Sequence, residues 1–200
     1  TGEGGICVTA DSRLAERLQL IRNHGENLVE SRGIQDINNL VGFNFRMTEL
    51  SAAVGRVQLA DADEHVARRE KIALRLTEAA KNLPGIVTPV TRPGCRHVYY
   101  VWSLRYEEKI VGVSREKFSQ ALTAEGFPNS TGYVRPLYLL PVFQKKIAMG
   151  KKGFPFAEAG ISYPAGLCPV AERLWTKEFL NFEPCAFDLT DHDIEKLGEA

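Results

Sequence analysis

Residues 42–48 read GFNFRMT, a run that places an amide and a guanidinium beside two aromatic rings and directly ahead of a residue that can cap a helix. Thr48 is a favoured N-cap residue, and the apolar positions after it recur at helical spacing. A helix N-terminus offers free N–H groups, and arginine adds a planar fork of donors that suits phosphate oxygens. The stretch therefore indicates an anion site built on Asn44 and Arg46. A second interpretation, in which Asn44 completes a turn and Arg46 is solvated, stays open on local pattern.

Helical patterns flank this stretch. Apolar spacing predicts an amphipathic helix over 12–23, capped by Asp11 and stopped by Gly25. It also predicts a helical region over 48–83, with a bend or a second start near Asp61. The segment between them, residues 26–45, shows no sustained period and predicts a long irregular loop, a kind of segment that often carries function.

The chain opens with a glycine-rich turn, GEGG at residues 2–5, followed by the β-branched apolar run ICVT at 6–9. The run predicts a short buried strand. The cluster is neither a P-loop nor a dinucleotide fingerprint. Two interpretations remain for Gly4 and Gly5: a simple turn into the strand, or a backbone so close to a cofactor that no side chain fits.

The second half of the chain mixes strand and helix signals. An aromatic and β-branched run predicts a strand over 98–106, and Ser114 caps a predicted helix that ends at Gly126. A proline-broken stretch over 133–169 leads to a helix near 171–179, and a capping-box-like start at Thr190 predicts a last helix.

Charge and composition exclude several functions. Lys and Arg number 25 against 25 Asp and Glu, so the formal net charge is zero. A nucleic-acid binder or a peripheral membrane protein would show a basic excess. No apolar stretch is long enough to span a membrane, and the first residues lack a secretory signal. We therefore expect a cytoplasmic protein with no nucleic-acid or membrane partner.

Metal and triad chemistry have no support in the sequence. The four cysteines include no Cys-x-x-Cys pair and the four histidines no His-x-x-x-His pair, so no metal site is expected. No Ser/His/Asp or Cys/His set can be defended. Tyr133 lies in a proline-restricted segment beside Arg135 and could line a polar small-molecule pocket, while packing explains it equally well. His97 opens the predicted strand, where a structural role is the commoner one.

The order of the motifs resembles that of the DegT/StrS family of pyridoxal-phosphate aminotransferases, often called sugar aminotransferases. The motifs that carry the resemblance are GEGGICVT at 2–9, RNHG at 22–25, GFNFRMTELSAA at 42–53, VQL at 57–59 and RR at 68–69. The match covers essentially the whole chain, with looser agreement over 133–141 and 166–172.

The resemblance implies a fold-type I aminotransferase, with a fold of the α/β class. Residues 1–64 would be the C-terminal remnant of the large domain that binds pyridoxal 5'-phosphate, and residues 65–200 a long connecting helix and a small C-terminal α+β domain. The active enzyme would be a homodimer with active sites at the subunit interface. The loop of Asn44 and Arg46 would reach the cofactor phosphate of the neighbouring subunit.

The resemblance also assigns other positions. Gly4 and Gly5 would lie behind the loop of the Schiff-base lysine, and Tyr133 and His97 would face the substrate. In the family that lysine lies a few residues before the GEGG motif, so it would precede Thr1, and no lysine of this sequence takes its role. We therefore expect the C-terminal half of an enzyme, inactive by itself.

Three functions follow as hypotheses. The first is a parent enzyme that moves an amino group from Glu or Gln to a keto sugar, typically nucleotide-linked. The second is a cofactor-dependent sugar dehydratase, because relatives with His at the lysine position catalyse that reaction. The third is a non-catalytic dimerisation or binding module.

Overall fold

The described residues, 1–25 and 40–199 of this computed structural model, divide into two units, Thr1–Asp63 and Glu64–Ala200. The assignment of residues 1–64 to a large cofactor-binding domain and of residues 65–200 to a small domain stays a prediction. The irregular loop predicted over 26–45 falls largely outside the described residues. Its described part, residues 40–45, contains no helix.

Two capped helices form the first unit. Helix α1 spans Ser12–Arg22, and the Asp11 carboxylate accepts hydrogen bonds from the backbone N–H groups of Arg13 and Leu14. Helix α2 spans Glu49–Ala60, and the Thr48 hydroxyl accepts from Ser51 N at 3.2 Å. Both caps satisfy N–H groups that the first helical turn leaves without partners, which confirms both predicted starts.

The long helical region predicted over 48–83 consists of two helices. Asp61 ends α2, and α3 continues over Ala62–Ala80. The predicted break near Asp61 is therefore confirmed. Ile72, Ala73 and Leu76 on α3 are buried, as expected for the inner face of an amphipathic helix.

The strand predicted over 6–9 is wrong. These residues form no strand, and the side chains of Ile6 and Val8 are 75% and 90% exposed. A strand needs a neighbour to pair its N–H and C=O groups. Among the described residues of the first unit, no segment pairs with 6–9, so β propensity alone does not produce a strand there.

An antiparallel sheet forms the centre of the second unit. Its strands, in spatial order, are β1 (Ile86–Val87), β2 (Trp102–Tyr106), β4 (Phe179–Phe182) and β3 (Ser130–Thr131). In the register of β2 and β4, Trp102 lies opposite Phe182 and Leu104 opposite Leu180. These apolar pairs share one face, because directly opposed residues point the same way.

Only the second half of the strand predicted over 98–106 exists. Tyr99 has a left-handed backbone with φ of 46°, which interrupts the extended run, and its N–H donates to His97 Nδ1 at 2.9 Å. Val98 and Tyr100 are consequently exposed, whereas the alternation is intact over β2. The apolar pattern predicted the buried face of Trp102 and Leu104 correctly, but it did not predict that the strand begins at Trp102.

The second unit also contains helices. The longer ones are α5 (Arg115–Ala124), capped by Ser114 as predicted, and α9 (Asp191–Glu199), whose capping box joins Thr190 and Asp193. The shorter helices are α4 (Glu108–Val111), α6 (Pro141–Gln144), α7 (Phe156–Ala159) and α8 (Pro169–Arg173), with 3-10 turns at Leu137–Leu139 and Pro184–Ala186. The helix predicted over 171–179 begins two residues earlier and changes to a π-helix over Leu174–Glu178.

The core lies between the sheet and helices α3, α5 and α9. Tyr106 and Phe182 from the sheet are almost fully buried, as are Ile72 on α3 and Ile194 on α9. The buried Tyr106 hydroxyl donates to Val113 O at 2.7 Å, and burial raises the pKa of Tyr106. The mixture of helices and strands confirms the predicted α/β class.

Candidate anion-binding site

The guanidinium of Arg46 is held by two neutral amides. Its Nε donates to Asn44 Oδ1 at 3.0 Å, and one terminal nitrogen donates to Asn23 Oδ1 at 3.0 Å. Among residues 1–25 and 40–199, no carboxylate lies within ion-pair distance of this guanidinium. Amide oxygens orient the group without cancelling its charge, so its remaining N–H groups are available to an anion.

The backbone of this loop is fixed to the end of α1. Phe43 N donates to Ile21 O at 2.8 Å, Phe45 N donates to Arg22 O at 2.9 Å, and His24 N donates to Phe43 O at 3.0 Å. The C-terminal end of α1 therefore fixes the position of the loop backbone. These bonds join the RNHG motif to the GFNFRMT motif.

A close backbone approach at Gly42 makes this join possible. His24 and Gly25 both have left-handed backbones, with φ of 65° and 76°. A β-carbon placed on Gly42 would lie 2.0 Å from Gly25 N, far inside van der Waals contact. Only glycine at position 42 allows the two segments to meet in this arrangement.

The two phenylalanines of the loop contact each other. Their rings stack with centroids 5.1 Å apart, and both are more than half exposed, at 53% for Phe43 and 64% for Phe45. The rings flank Asn44 in the sequence and leave a sizeable apolar area at the surface beside the guanidinium. Such an area is typical of a surface that another molecule covers.

Arg46 lines an open concavity of about 810 Å³ in the first unit. Arg22 contributes a second cationic side chain to the same wall, and Gly5 and Thr9 come from the opening segment. A β-carbon on Gly4 would lie 3.1 Å from the terminal methyl of Met47. The predicted residues Gly5 and Arg46 therefore both line the concavity, and Gly4 lies close to Met47, which lines it too. Asn44 is not part of the lining.

These features fit a phosphate group. A guanidinium oriented by neutral acceptors offers charge-assisted hydrogen bonds to phosphate oxygens. The adjacent helix α2 has its positive end at Thr48, one residue beyond Met47. The donor set of Arg46 and this helix terminus therefore suits the anionic tail of a cofactor.

His97 and Tyr133 belong to the second unit, and His97 has local structural contacts. The His97 ring stacks on Tyr99 with centroids 4.1 Å apart and accepts the Tyr99 N–H. Tyr133 has a left-handed backbone with φ of 66° and is 46% exposed. Nearby, the Arg135 guanidinium lies over the Trp175 ring at 5.7 Å. Their proposed substrate contacts stay predictions.

Tyr138 has a structural role in this region. Its hydroxyl donates to the Glu172 carboxylate and accepts from Cys168 N at 3.2 Å, and the same carboxylate accepts from Gly166 N at 2.6 Å. Partial burial and the Glu172 carboxylate raise the pKa of Tyr138. This phenol therefore ties the segment over 166–172 to the 3-10 turn at Leu137–Leu139.

Asn23 and Arg22 are site residues that the sequence does not predict. Both belong to the RNHG motif, and their only local signal is a position at the end of a predicted helix. Sequence spacing alone does not show that Asn23 lies within hydrogen-bond distance of Arg46.

Comparison with known proteins gives one family. The family model described as the DegT/DnrJ/EryC1/StrS aminotransferase family matches residues 1–178. The chain is similar to the spore coat polysaccharide biosynthesis protein SpsC of Bacillus subtilis, with 32% identity over 78% of this chain and 42% of that protein. It is also similar to the dTDP-3-amino-3,4,6-trideoxy-alpha-D-glucose transaminase of Streptomyces venezuelae, with 33% identity over 86% of this chain and 38% of that protein.

Two solved structures of related aminotransferases have a similar fold. The structure of S. venezuelae DesV matches with a TM-score of 0.70 and 28% identity, over 96% of this chain and 44% of that one. A DegT/DnrJ/EryC1/StrS aminotransferase from Brucella abortus matches with a TM-score of 0.67 and 26% identity, over 96% of this chain and 43% of that one. These matches confirm the predicted fold-type I architecture.

The chain spans about two fifths of the length of the curated relatives that it matches. No helix of the described residues is long and apolar enough to cross a membrane. Within those same residues, no group of three or more His, Cys, Asp or Glu side chains is placed to hold a metal ion.

Proposed function

Because the chain belongs to the DegT/DnrJ/EryC1/StrS aminotransferase family, we propose that the protein acts as a pyridoxal-phosphate-dependent aminotransferase with a keto sugar, typically nucleotide-linked, as acceptor and Glu or Gln as donor. The names of its relatives support the sugar substrate, since one is a transaminase of a dTDP-linked sugar and another belongs to polysaccharide biosynthesis. The observation that carries the proposal is the Arg46 guanidinium, held by two neutral amides and free of a carboxylate partner among the described residues.

The role proposed for this chain is to hold the cofactor phosphate. Pyridoxal phosphate, when bound, supplies the electron sink for amino transfer. Arg46 would donate charge-assisted hydrogen bonds to the phosphate oxygens, and Asn44 would hold the Nε side of the guanidinium. In a homodimer, this loop would serve the cofactor of the neighbouring subunit.

The remaining assignments follow the resemblance. Gly4 and Gly5 would lie behind the loop of the cofactor-binding lysine, and His97 and Tyr133 would face the sugar. By the resemblance that lysine precedes Thr1, and no lysine of these 200 residues is assigned its role.

The test uses the full-length protein and the variant Arg46→Leu. We expect weaker binding of pyridoxal phosphate, by roughly tenfold or more, because a charge-assisted contact to phosphate is lost. Binding is measured by titration of the absorbance of bound cofactor, and activity by amino transfer to a keto sugar. Arg17→Leu, on an exposed position of α1, is the matched control and should bind as the unchanged protein does.

The outcome that contradicts the proposal is a full-length protein that binds no pyridoxal phosphate and transfers no amino group to any keto sugar. Loss of water from the sugar, in place of amino transfer, would favour the dehydratase hypothesis.

A further inference from the structure

We propose that Asn23 is a positioning residue, which aims the guanidinium of Arg46 at the phosphate, an inference that rests on the function proposed above. Asn23 contacts no part of the predicted ligand in this assignment. It acts through Arg46, whose terminal nitrogen donates to Asn23 Oδ1 at 3.0 Å.

Two acceptors at different nitrogens fix the plane of the guanidinium. Asn44 Oδ1 accepts from Nε and Asn23 Oδ1 accepts from a terminal nitrogen. With Asn44 alone, the long arginine side chain could still rotate about its last bonds, and ordering it on ligand binding would cost conformational entropy. The second acceptor removes this freedom before the ligand arrives.

Asn23 is itself well fixed. Its N–H donates to Leu20 O at 3.0 Å at the end of α1. The residues on either side of it bond to the loop, Arg22 O accepting from Phe45 N and His24 N donating to Phe43 O. The side-chain amide therefore projects from a backbone that is attached to the loop it supports.

The neutrality of Asn23 matters as much as its position. An aspartate at this site could accept the same hydrogen bond, but its charge would neutralise the guanidinium and repel a phosphate. A leucine would keep the approximate size and remove the acceptor. The two substitutions therefore separate the charge of residue 23 from its acceptor role.

The experiment is an NMR titration of the full-length protein, freed of cofactor, with inorganic phosphate, followed on the Nε–H signal of Arg46 and on backbone amides of the loop. The variants are Asn23→Asp, Asn23→Leu and Arg46→Leu, with Asn82→Asp in the second unit as the control for added charge. We expect Asn23→Asp to weaken phosphate binding by roughly tenfold and Asn23→Leu by severalfold. We also expect faster solvent exchange of the Arg46 Nε–H in Asn23→Leu before phosphate is added.

The results separate the two proposals. If the full-length protein and its Arg46→Leu variant bind phosphate equally or not at all, the phosphate site of the proposed function fails. If the unchanged full-length protein binds phosphate, Arg46→Leu does not, and both Asn23 variants match the unchanged protein in affinity and Nε–H exchange, the positioning role of Asn23 is overturned. Asn23→Asp retains an acceptor for the Arg46 hydrogen bond, so it also covers the case in which Asn23→Leu fails to fold.

Discussion

The contact between Gly42 and Gly25 is the tightest constraint on the candidate site. With a β-carbon 2.0 Å from Gly25 N, the variant Gly42→Ala has to separate the loop from the end of α1. We expect a loss of stability of about 3 kcal/mol or more in the first unit, because overpacking against the backbone leaves no flexible atom to move. Thermal denaturation measures this loss of stability, and we expect the affinity for phosphate to fall in the same variant.

Gly55→Ala is the matched control for this prediction. Gly55 lies inside α2, and the nearest atom to its added β-carbon is the terminal methyl of the Thr1 side chain at 3.2 Å. Alanine inside a helix is favoured over glycine by about 1 kcal/mol, so this variant should be neutral or stabilising. A Gly42→Ala variant as stable as Gly55→Ala would contradict the close approach.

At the scale of single elements, the π-helix over Leu174–Glu178 depends on a buried arginine from α5. Arg115 is 5% exposed, and its guanidinium donates to the carbonyl oxygens of Trp175 and Thr176 at 2.9 Å and of Phe179 at 3.3 Å. It also pairs with the Glu116 carboxylate, and this hydrogen bond lowers the pKa of Glu116. One side chain thus donates to two carbonyls of the π-helix, while Phe179 O, in β4, also accepts from Gly132 N at 2.9 Å.

Arg115→Lys should destabilise the second unit by about 2 to 4 kcal/mol, because an ammonium cannot reproduce the planar fork and leaves buried carbonyls unpaired. Chemical denaturation of the variant measures the change. Arg13→Lys, at a side chain that is 90% exposed, should change nothing measurable. Equal stability of the two variants would show that the carbonyls are satisfied in another way.

The attachment of α9 to α3 should depend on pH. Lys71 Nζ donates to Asp191 Oδ1 at 2.6 Å, and this hydrogen bond, with the lysine charge, lowers the pKa of Asp191. A carboxyl whose pKa is lowered on folding contributes stability above its unfolded pKa and loses it as the pH falls through the folded value. We therefore expect the melting temperature to fall below about pH 4.

Because the pair is exposed, the expected change is small. Asp191→Asn should flatten this part of the pH profile, and Lys71→Met should do the same. Glu195→Gln, which removes another carboxylate from α9, serves as the control and should leave the profile unchanged. Parallel profiles for all three variants would show that the Lys71–Asp191 pair has no part in the acid response.

The helices and strands also show that local features can be predicted from the sequence and that non-local pairing cannot. The starts of α1, α2, α5 and α9 were predicted because a cap and an apolar stripe are local signals, with partners within about four residues. The strand over 6–9 failed because pairing is not local. At the candidate site, the same contrast separates Asn44, two residues from Arg46, from Asn23, whose partner lies on another segment.

At the scale of the whole molecule, two surface features favour association. The formal net charge is zero, so no net repulsion keeps copies apart. Helix α2 has no buried residue, and Leu50, Val54 and Val57 are 82%, 50% and 63% exposed. Their spacing of four and three residues puts them on one face of the helix.

We expect this apolar stripe to drive self-association of the 200-residue chain, since a contiguous apolar face loses contact with water only when another surface covers it. Sedimentation velocity should show a concentration-dependent species larger than a monomer. Val54→Glu combined with Val57→Glu should shift the chain toward monomer, because charges at the centre of the stripe would have to be desolvated on contact. Arg56→Glu, which changes charge on α2 outside the stripe, should have a smaller effect. A chain that sediments as a monomer at every concentration would contradict the prediction. If the double variant Val54→Glu, Val57→Glu and the variant Arg56→Glu had equal effects, the association would depend on charge and not on the apolar face.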